Sequence, residues 1–364
     1  MDLTKKRTFA TSKNIQNMSR ILFFALFMVF IVGMLAMDLG VFHKKDHEIK
    51  TREALIFTII WIVLSMCMAL LLRFHAEWIH GITDMESLLA YASSQPKLLE
   101  QLQHASDYSA ALNIYRSEMA EQYLAGYFLE ESLSIDNIFV MIMIFTSFGI
   151  EKKYYHRVLF WGILGAIIMR FIFIFALGAV VSRLSWILAI FGVILVWSGL
   201  KMFRDKSDEQ MDTANHPVVR FASRHFRVTR EVHGHDFFAT VDGKRYITPL
   251  FLVLLVIEFS DIIFAVDSIP AVFSVTTDTF IVYFSNIFAI MGLRSMFFLL
   301  SNVTDKFWLL RYGLGVLLCF IGLKMIVAEF FNIHVSTMTS LIVILGILFG
   351  SILLSFVFRP AKSR

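Results

Sequence analysis

Cysteine is almost absent from this chain of 364 residues, since only Cys67 and Cys319 occur. Each lies alone in an apolar run, which excludes a disulfide framework and a cysteine-rich metal site. Charged residues are also scarce, at 17% of the sequence, whereas 57% is hydrophobic. This composition excludes an ordinary soluble domain and is typical of a protein that crosses a membrane several times.

Two further features are missing from the sequence. No folded basic module accompanies the modest net charge of +4, so nucleic acid is not an expected partner. No small-residue cleavage site follows the basic N-terminal segment and the first apolar run, so that run is expected to remain as an uncleaved first span.

Apolar runs of spanning length predict an all-α, polytopic membrane protein with about nine transmembrane helices. They lie near residues 20–41, 52–74, 119–149, 157–181, 185–203, 248–273, 279–300, 309–331 and 335–357. A hydrophilic segment at 75–118 is predicted to be helical and solvated, and another at 204–247 is strongly charged.

The lysine and arginine content of the loops predicts the orientation of the chain. Most of these residues follow the first, third, fifth and seventh predicted helices or lie in the C-terminal tail. Because basic loops stay on the cytoplasmic side, we expect the N-terminus outside and the C-terminus in the cytoplasm, in the cell (inner) membrane. The basic N-terminal segment gives the opposite signal, and the loops outweigh it.

An internal repeat links two parts of the chain. The segment 192–202 matches the segment 315–325 at seven of eleven positions. Upstream, Arg170 aligns with Arg294, and two pairs of acids with a spacing of six residues also align. The aligned acids are Glu130 and Asp136 in the first copy, and Asp261 and Asp267 in the second.

The repeat predicts two inverted three-helix units, because an odd number of spans gives the copies opposite membrane orientations. Inverted repeats with binding groups on paired helices are a transporter architecture. The predicted organisation is helices 1 and 2 with an extramembrane segment at 1–118, the first repeat at 119–203, a cytoplasmic charged loop at 204–247, the second repeat at 248–331, and a C-terminal helix and tail at 332–364.

Two clusters of carboxylates lie inside these apolar runs, where an ionised side chain costs at least ~2.5 kcal/mol to insert. The acids predicted to bind a cation are Glu130, Asp136, Glu258, Asp261 and Asp267. Serine and asparagine residues accompany them, and such oxygen ligands suit Mg²⁺, Ca²⁺ and Mn²⁺. No histidine or cysteine lies in either cluster, which argues against a zinc or copper site.

The spacing of six residues imposes a geometric condition on a shared site. Such acids point about 120° apart on a regular helix, so both reach one site near the bilayer centre only if the helix unwinds locally. Pro270 favours a break of this kind in the second cluster, whereas the first cluster has no proline.

Several other polar residues are possible accessory groups. They are Asn137, Ser268, Asp38, Asn286, Arg170 and Arg294. We expect the two arginines to neutralise a carboxylate or meet the interface rather than contact a cation. Asn286 is expected either to bond across helices or to act as a ligand, and Asp38 to be either interfacial or part of a pathway. Glu131 is set aside, because the repeat pairs Glu130 with Asp261.

Three motifs resemble the TerC family of integral membrane proteins. They are the segments 132–137, 264–271 and 285–295, and the ordered match covers roughly residues 20–335. The resemblance implies a role in manganese homeostasis by export of Mn²⁺ from the cytoplasm, with the functional acids at the five positions given above. The 75–118 segment departs from typical members by its length, so the resemblance implies nothing about it.

Three hypotheses remain open at this point. The first is a Mn²⁺ exporter with alternating access about a carboxylate site between the repeats. No nucleotide-binding motif is present, so uphill transport would use an ion gradient, and protons exchange readily with metal at carboxylates. The second is a membrane assembly or partner protein linked to tellurite resistance or protein insertion, and the third is a Ca²⁺ transporter.

None of these hypotheses requires an enzyme. No catalytic residue is predicted, and no cofactor is expected beyond the transported Mn²⁺. The expected partners are the divalent metal ion and the lipid bilayer.

Overall fold

The computed structural model describes residues 21–34, 51–93, 95–184, 186–204, 216–229, 234, 236–241, 243–301, 309–331, 333 and 335–358. Its longer helices are α1 (Ile21–Met34), α2 (Thr51–His75), α6 (Tyr108–Ser147), α7 (Tyr155–Val181), α8 (Ile187–Arg204), α10 (Pro249–Phe273), α11 (Thr279–Ser301), α12 (Leu310–Phe331) and α13 (Thr337–Val357). Its short elements are α3 (Glu77–His80), α4 (Met85–Ala92), α5 (Pro96–Gln103), α9 (Pro217–His225), β1 (Phe238–Val241) and β2 (Lys244–Ile247).

Six helices of the described chain are long and apolar enough to cross a membrane, namely α2, α7, α10, α11, α12 and α13. The apolar helices α1 and α8 are shorter. Helix α6 has 40 residues, and its apolar half carries Glu130, Glu131 and Asp136. A polytopic helical membrane protein is therefore supported, while nine spanning helices remain a prediction for α1, α6 and α8.

The chain separates into two compact units. Among the described parts, the first contains residues 21–34 and 66–124, so it includes α1, the end of α2, α3, α4, α5 and the start of α6. Its interior contains Leu88, Leu98, Leu102 and Tyr115, which are almost fully buried. The segment 75–118 is thus helical, as its sequence predicts.

Helix α4 of this first unit begins at a side-chain cap. Asp84 accepts a hydrogen bond of 2.8 Å from the Ser87 amide, and the Ser87 hydroxyl group is bonded in return to the Asp84 backbone. Such a reciprocal cap satisfies amide groups that have no partner inside the helix. The bond from the Ser87 amide holds the pKa of Asp84 below its ordinary value.

The second unit contains the remainder of α6 and the helices that follow it. Aromatic side chains pack where α6, α7 and α11 meet, and the rings of Phe145 and Tyr155 lie 4.1 Å apart between centroids. Phe297 of α11 contacts both rings edge-on. These contacts fix the helices that carry the predicted polar residues.

Helices α8 and α12 are in contact through their backbones. A β-carbon at Gly192 would lie 2.8 Å from the Gly322 carbonyl oxygen, and one at Gly199 would lie 2.6 Å from the Gly315 carbonyl oxygen. Only glycine permits this approach, because any side chain would overlap the facing helix. The order of the contacts shows that the two helices run antiparallel.

The charged segment 204–247 contains structure that its sequence did not predict. Strands β1 and β2 pair antiparallel, with Phe238 opposite Ile247 and Val241 opposite Lys244. Ile247 packs with Ala222 of α9 and with Leu252 of α10. The segment is therefore attached to the start of α10 by a small apolar cluster of its own.

The local unwinding predicted for the acidic clusters is wrong. Helix α6 is continuous through Asp136, and α10 is continuous through Asp261, Asp267 and Pro270. Pro270 lies in the final turn of α10, which ends at Phe273. Pro270 removes one backbone donor, and α10 nevertheless stays helical on both sides of it.

Candidate functional site

A buried guanidinium group lies between two of the predicted acids. Arg170 of α7 forms an ion pair with Glu130 of α6, and its Nη2 lies 3.2 Å from Oδ1 of Asp261 on α10. Its Nη1 donates a hydrogen bond of 2.7 Å to Oδ1 of Asn286 on α11. Four helices therefore meet at one arginine, in what we call the Arg170 cluster: Glu130, Arg170, Asp261 and Asn286.

The cluster is shielded from solvent. Arg170, Glu130 and Asn286 have no exposed surface, and Asp261 is 4% exposed. Charged groups are seldom buried unless they are paired, because loss of hydration costs several kcal/mol per ion. As expected, Arg170 is paired with carboxylates and Asn286 forms a hydrogen bond across helices. That hydrogen bond is made with Arg170 itself.

Negative charge exceeds positive charge within this cluster when both acids are ionised, since two carboxylates share one guanidinium. Several of its buried polar atoms also lack a hydrogen-bond partner. They are Glu130 Oε2, Asp261 Oδ2, Asn286 Nδ2 and Arg170 Nε. Buried polar atoms are rarely left unsatisfied, so two free carboxylate oxygens in one place point to a bound water or cation.

Glu258 lies one turn before Asp261 on α10 and approaches the neighbouring helix closely. Its carboxylate occupies the space beside Gly165 of α7 that a β-carbon would fill. A residue with any side chain at that position would displace the carboxylate. Gly165 is thus a residue of the site that the sequence did not single out.

Asp267 and Asp136 lie away from solvent but are less deeply buried than the Arg170 cluster. Oγ of Ser198 on α8 donates to Oδ1 of Asp267 at 3.3 Å, which joins α8 to α10. The accessory residues Asn137 and Ser268 are each 2% exposed. Ser268 Oγ has no hydrogen-bond partner, so it is available as an oxygen ligand.

Arg294, the repeat equivalent of Arg170, has different surroundings. Its Nη1 lies 3.5 Å from Nε2 of His156 on α7. Arg294 and Asp261 also line the same small cavity, together with apolar side chains of α6, α7 and α11. One carboxylate therefore contacts the first arginine and shares a cavity with the second.

No group of three or more histidine, cysteine, aspartate or glutamate side chains in the described residues is arranged to hold one metal ion. The expected convergence of Glu130, Asp136, Asp261 and Asp267 on a single ion is thus not found there. Because α6 and α10 remain helical, acids six residues apart point to different sides of each helix. Asp38 lies outside the described residues.

Glu131 is a second residue that the sequence passed over. Its Oε1 would lie 3.8 Å from a β-carbon at Gly292 of α11, where Trp61 of α2 also approaches. Its Oε2 is buried and has no hydrogen-bond partner. Adjacent side chains on a helix point about 100° apart. Because α6 is buried on several sides, Glu130 and Glu131 both point into the protein.

Comparisons with known proteins identify the chain as an integral membrane protein. Residues 115–363 match the model of the "Integral membrane protein TerC family". The chain is 41% identical over 340 residues to an uncharacterized membrane protein of Myxococcus xanthus, with 93% of this chain and 92% of that protein covered.

Two further relatives carry the name "Putative membrane-bound redox modulator Alx". The one from Photorhabdus laumondii is 40% identical over 310 residues, which cover 85% of this chain and 87% of the relative. The one from Escherichia coli K12 is 38% identical over 332 residues, which cover 91% and 92%. No solved structure matches the chain at a significant level. On the evidence of the family match and of these relatives, the chain belongs to the TerC family of multi-pass integral membrane proteins.

Proposed function

We propose that this protein is a membrane transporter that exports divalent metal ions, above all Mn²⁺, from the cytoplasm. The observation that carries the proposal is the Arg170 cluster, in which two buried carboxylates face one guanidinium and retain two unpartnered oxygens. Buried acids in spanning helices are costly, and they typically mark ion or substrate pathways.

The chemistry of the ligands supports a hard divalent ion. Glu130 and Asp261 offer carboxylate oxygen atoms, and Glu258 adds a third carboxylate one turn away. Carboxylate and amide oxygens suit Mn²⁺, Mg²⁺ and Ca²⁺ better than Zn²⁺ or Cu⁺. The exported ion is the substrate here, and we assign no resident cofactor.

The contact between α8 and α12 supports the proposed inverted repeat. Gly192 aligns with Gly315 in sequence, and Gly199 aligns with Gly322. Gly192 contacts Gly322, and Gly199 contacts Gly315. When every residue is replaced by its repeat equivalent, the first contact becomes the second and the second becomes the first. Reciprocal contacts of this kind are the mark of a two-fold axis between equivalent elements.

In an inverted repeat, the remaining acids would lie on opposite sides of the Arg170 cluster. Asp136 follows Glu130 by six residues on α6, and Asp267 follows Asp261 by six residues on α10, so each lies about 9 Å further along its helix. With the N-terminus outside, Asp136 faces the cytoplasm and Asp267 the exterior. We therefore infer a path from Asp136 through the cluster to Asp267, in place of one shared site.

Reconstitution tests the proposal directly. Purified protein in liposomes is given Mn²⁺, Ca²⁺, Mg²⁺ or Zn²⁺, and flux is followed with metal-sensitive dyes. We expect saturable Mn²⁺ flux that is lost in Asp261→Asn and kept in Asp84→Asn, a matched change in the first compact unit. Ca²⁺ flux that Mn²⁺ does not inhibit would identify a Ca²⁺ transporter. Absence of flux for all four ions would favour an assembly or partner protein.

A further inference from the structure

We propose that Arg170 is a tethered counter-cation: it occupies the ion site in the empty protein, is displaced when the divalent ion binds, and allows the empty site to reorient without a bound ion. The proposal rests on the transport function proposed above. It assigns to Arg170 a role that is distinct from holding the helices together.

The geometry makes the guanidinium and a divalent ion mutually exclusive. Arg170 contacts a carboxylate oxygen of Glu130 and one of Asp261. A metal ion bound by both acids needs oxygen distances of about 2.0 to 2.6 Å, which leaves no room for a guanidinium group between them. Binding of the substrate ion therefore requires Arg170 to leave at least one of the two carboxylates.

Asn286 provides a place for the displaced guanidinium. It already accepts a hydrogen bond of 2.7 Å from Nη1 of Arg170, and it carries no charge that would retain the metal ion. Arg170 Nε has no partner in the observed state, so the side chain keeps a free donor for a new contact. Rotation of the guanidinium toward Asn286 would open the carboxylates while keeping the arginine bonded.

Charge explains why such a group is useful. The two ionised acids alone carry a charge of −2, which Arg170 reduces to −1 and a divalent ion reduces to zero. A buried site with two uncompensated carboxylates would be strongly disfavoured during any movement through the membrane interior. The arginine thus lowers the charge of the empty site, and no second ion is needed to accompany its return.

The test compares two modes of transport in the same liposomes. Net efflux of Mn²⁺ into a metal-free solution requires return of the empty site, whereas exchange of labelled for unlabelled Mn²⁺ does not. We expect Arg170→Gln to reduce net efflux at least about tenfold while exchange is largely retained, because only the empty site keeps uncompensated carboxylates. Arg170→Lys, which keeps the charge, should restore net efflux.

The matched control is Arg116→Gln, which removes another arginine paired with a glutamate, but in the first compact unit. It should leave the ratio of net efflux to exchange unchanged. An unchanged ratio in Arg170→Gln, or equal loss of both modes at normal abundance and thermal stability, would overturn the counter-cation role. Absence of both modes in the unaltered protein would instead overturn the proposed function.

A second variant keeps the proposal testable if Arg170→Gln does not fold. Asn286→Leu preserves the approximate size of the side chain but removes the acceptor for the displaced guanidinium. We expect the apparent affinity for Mn²⁺ to fall about tenfold with an unchanged ratio of the two modes, since the loss of one buried acceptor is of that order. Unchanged affinity in Asn286→Leu would contradict the displacement of Arg170 toward Asn286.

Discussion

The carboxylate of Glu258 on α10 lies against the backbone of Gly165 on α7, in space that any side chain at that glycine would occupy. The acid precedes Asp261 by one helical turn, so it stands at the edge of the Arg170 cluster. The absence of a side chain at Gly165 therefore determines where the Glu258 carboxylate can lie.

The first prediction follows from this contact. Gly165→Ala should push the Glu258 carboxylate away and lower Mn²⁺ flux, with an overpacking cost of about 1 to 3 kcal/mol in stability. Gly346→Ala on α13 is the matched control, because no atom lies within 4 Å of its β-carbon position. Flux and melting temperature are measured for both variants. Equal flux in the two would show that the position of Glu258 is unimportant.

The second prediction concerns the packing of α8 against α12. Gly199→Ala and Gly322→Ala should each destabilise the protein by about 1 to 3 kcal/mol, because a methyl group would meet the backbone of the facing helix. Thermal unfolding in detergent measures the effect, with Gly350→Ala as a control whose β-carbon position is open. Two variants as stable as the control would contradict the backbone contact.

The third prediction tests opposite orientation of the repeats. Glu151 follows α6 and Thr277 follows α10, and both side chains are exposed. In a background without Cys67 and Cys319, Thr277→Cys should react with a membrane-impermeant maleimide in intact cells, whereas Glu151→Cys should react only after lysis. Labelling of both from the same side would exclude the inverted arrangement and the proposed path with it.

The fourth prediction concerns the acids on either side of the cluster. Asp136→Asn or Asp267→Asn should abolish protection of cells against excess Mn²⁺ while the protein remains in the membrane, because each change keeps the size but removes the charge. Glu151→Gln, an exposed acid, is the control. Growth on Mn²⁺ and protein abundance are measured together. Normal tolerance in the double variant at normal abundance would contradict export by this path.

The fifth prediction uses the ion pair between Glu77 and Arg116 in the first compact unit. Burial opposes ionisation of Glu77, but the two bonds from Arg116, at 2.8 and 2.5 Å, outweigh it, so the pKa of Glu77 is below its ordinary value. A lowered pKa in the folded state contributes stability that is present above the ordinary pKa and is lost as pH falls through the folded value.

Acidification below the ordinary pKa of glutamate should therefore weaken this unit. Fluorescence of Trp78, which stacks on His75 beside this ion pair, reports the change, and hydrogen exchange of α3 to α5 provides a second measurement. Glu77→Gln should flatten the dependence on pH, whereas Glu86→Gln, at an exposed position of α4, should not. An unchanged profile in Glu77→Gln would contradict the assignment.

The sequence singled out the residues of the Arg170 cluster, although it did not predict which of them pair. The repeat alignment selected Glu130 and Asp261 as equivalent acids and gave Arg170 a neutralising role, and these three residues meet in the structure. Each inference depended on a charged residue in an apolar run. Few arrangements avoid leaving such a charge buried and unpaired. The pattern of charges therefore carried information about contacts between distant segments.

Other features depend on how helices that are distant in sequence pack together, which no local sequence pattern shows. Nζ of Lys324 on α12 donates to the Ser274 carbonyl oxygen just after α10, at 3.1 Å. Glu131 is directed toward α2 and α11, and only their arrangement makes that side of α6 an interior one. The break inferred from Pro270 is wrong, because α10 stays helical through that residue.

The glycine contact between α8 and α12 has a mechanical consequence. Two helices in backbone contact have no layer of side chains between them that could rearrange, so we expect α8 and α12 to move together as one rigid body. On the proposed transport function, opening of the site would then occur between this pair of helices and the helices that hold Arg170. The hydrogen bonds from Ser198 to Asp267 and from Lys324 to the Ser274 carbonyl oxygen cross that boundary, so both would have to break or move with the opening.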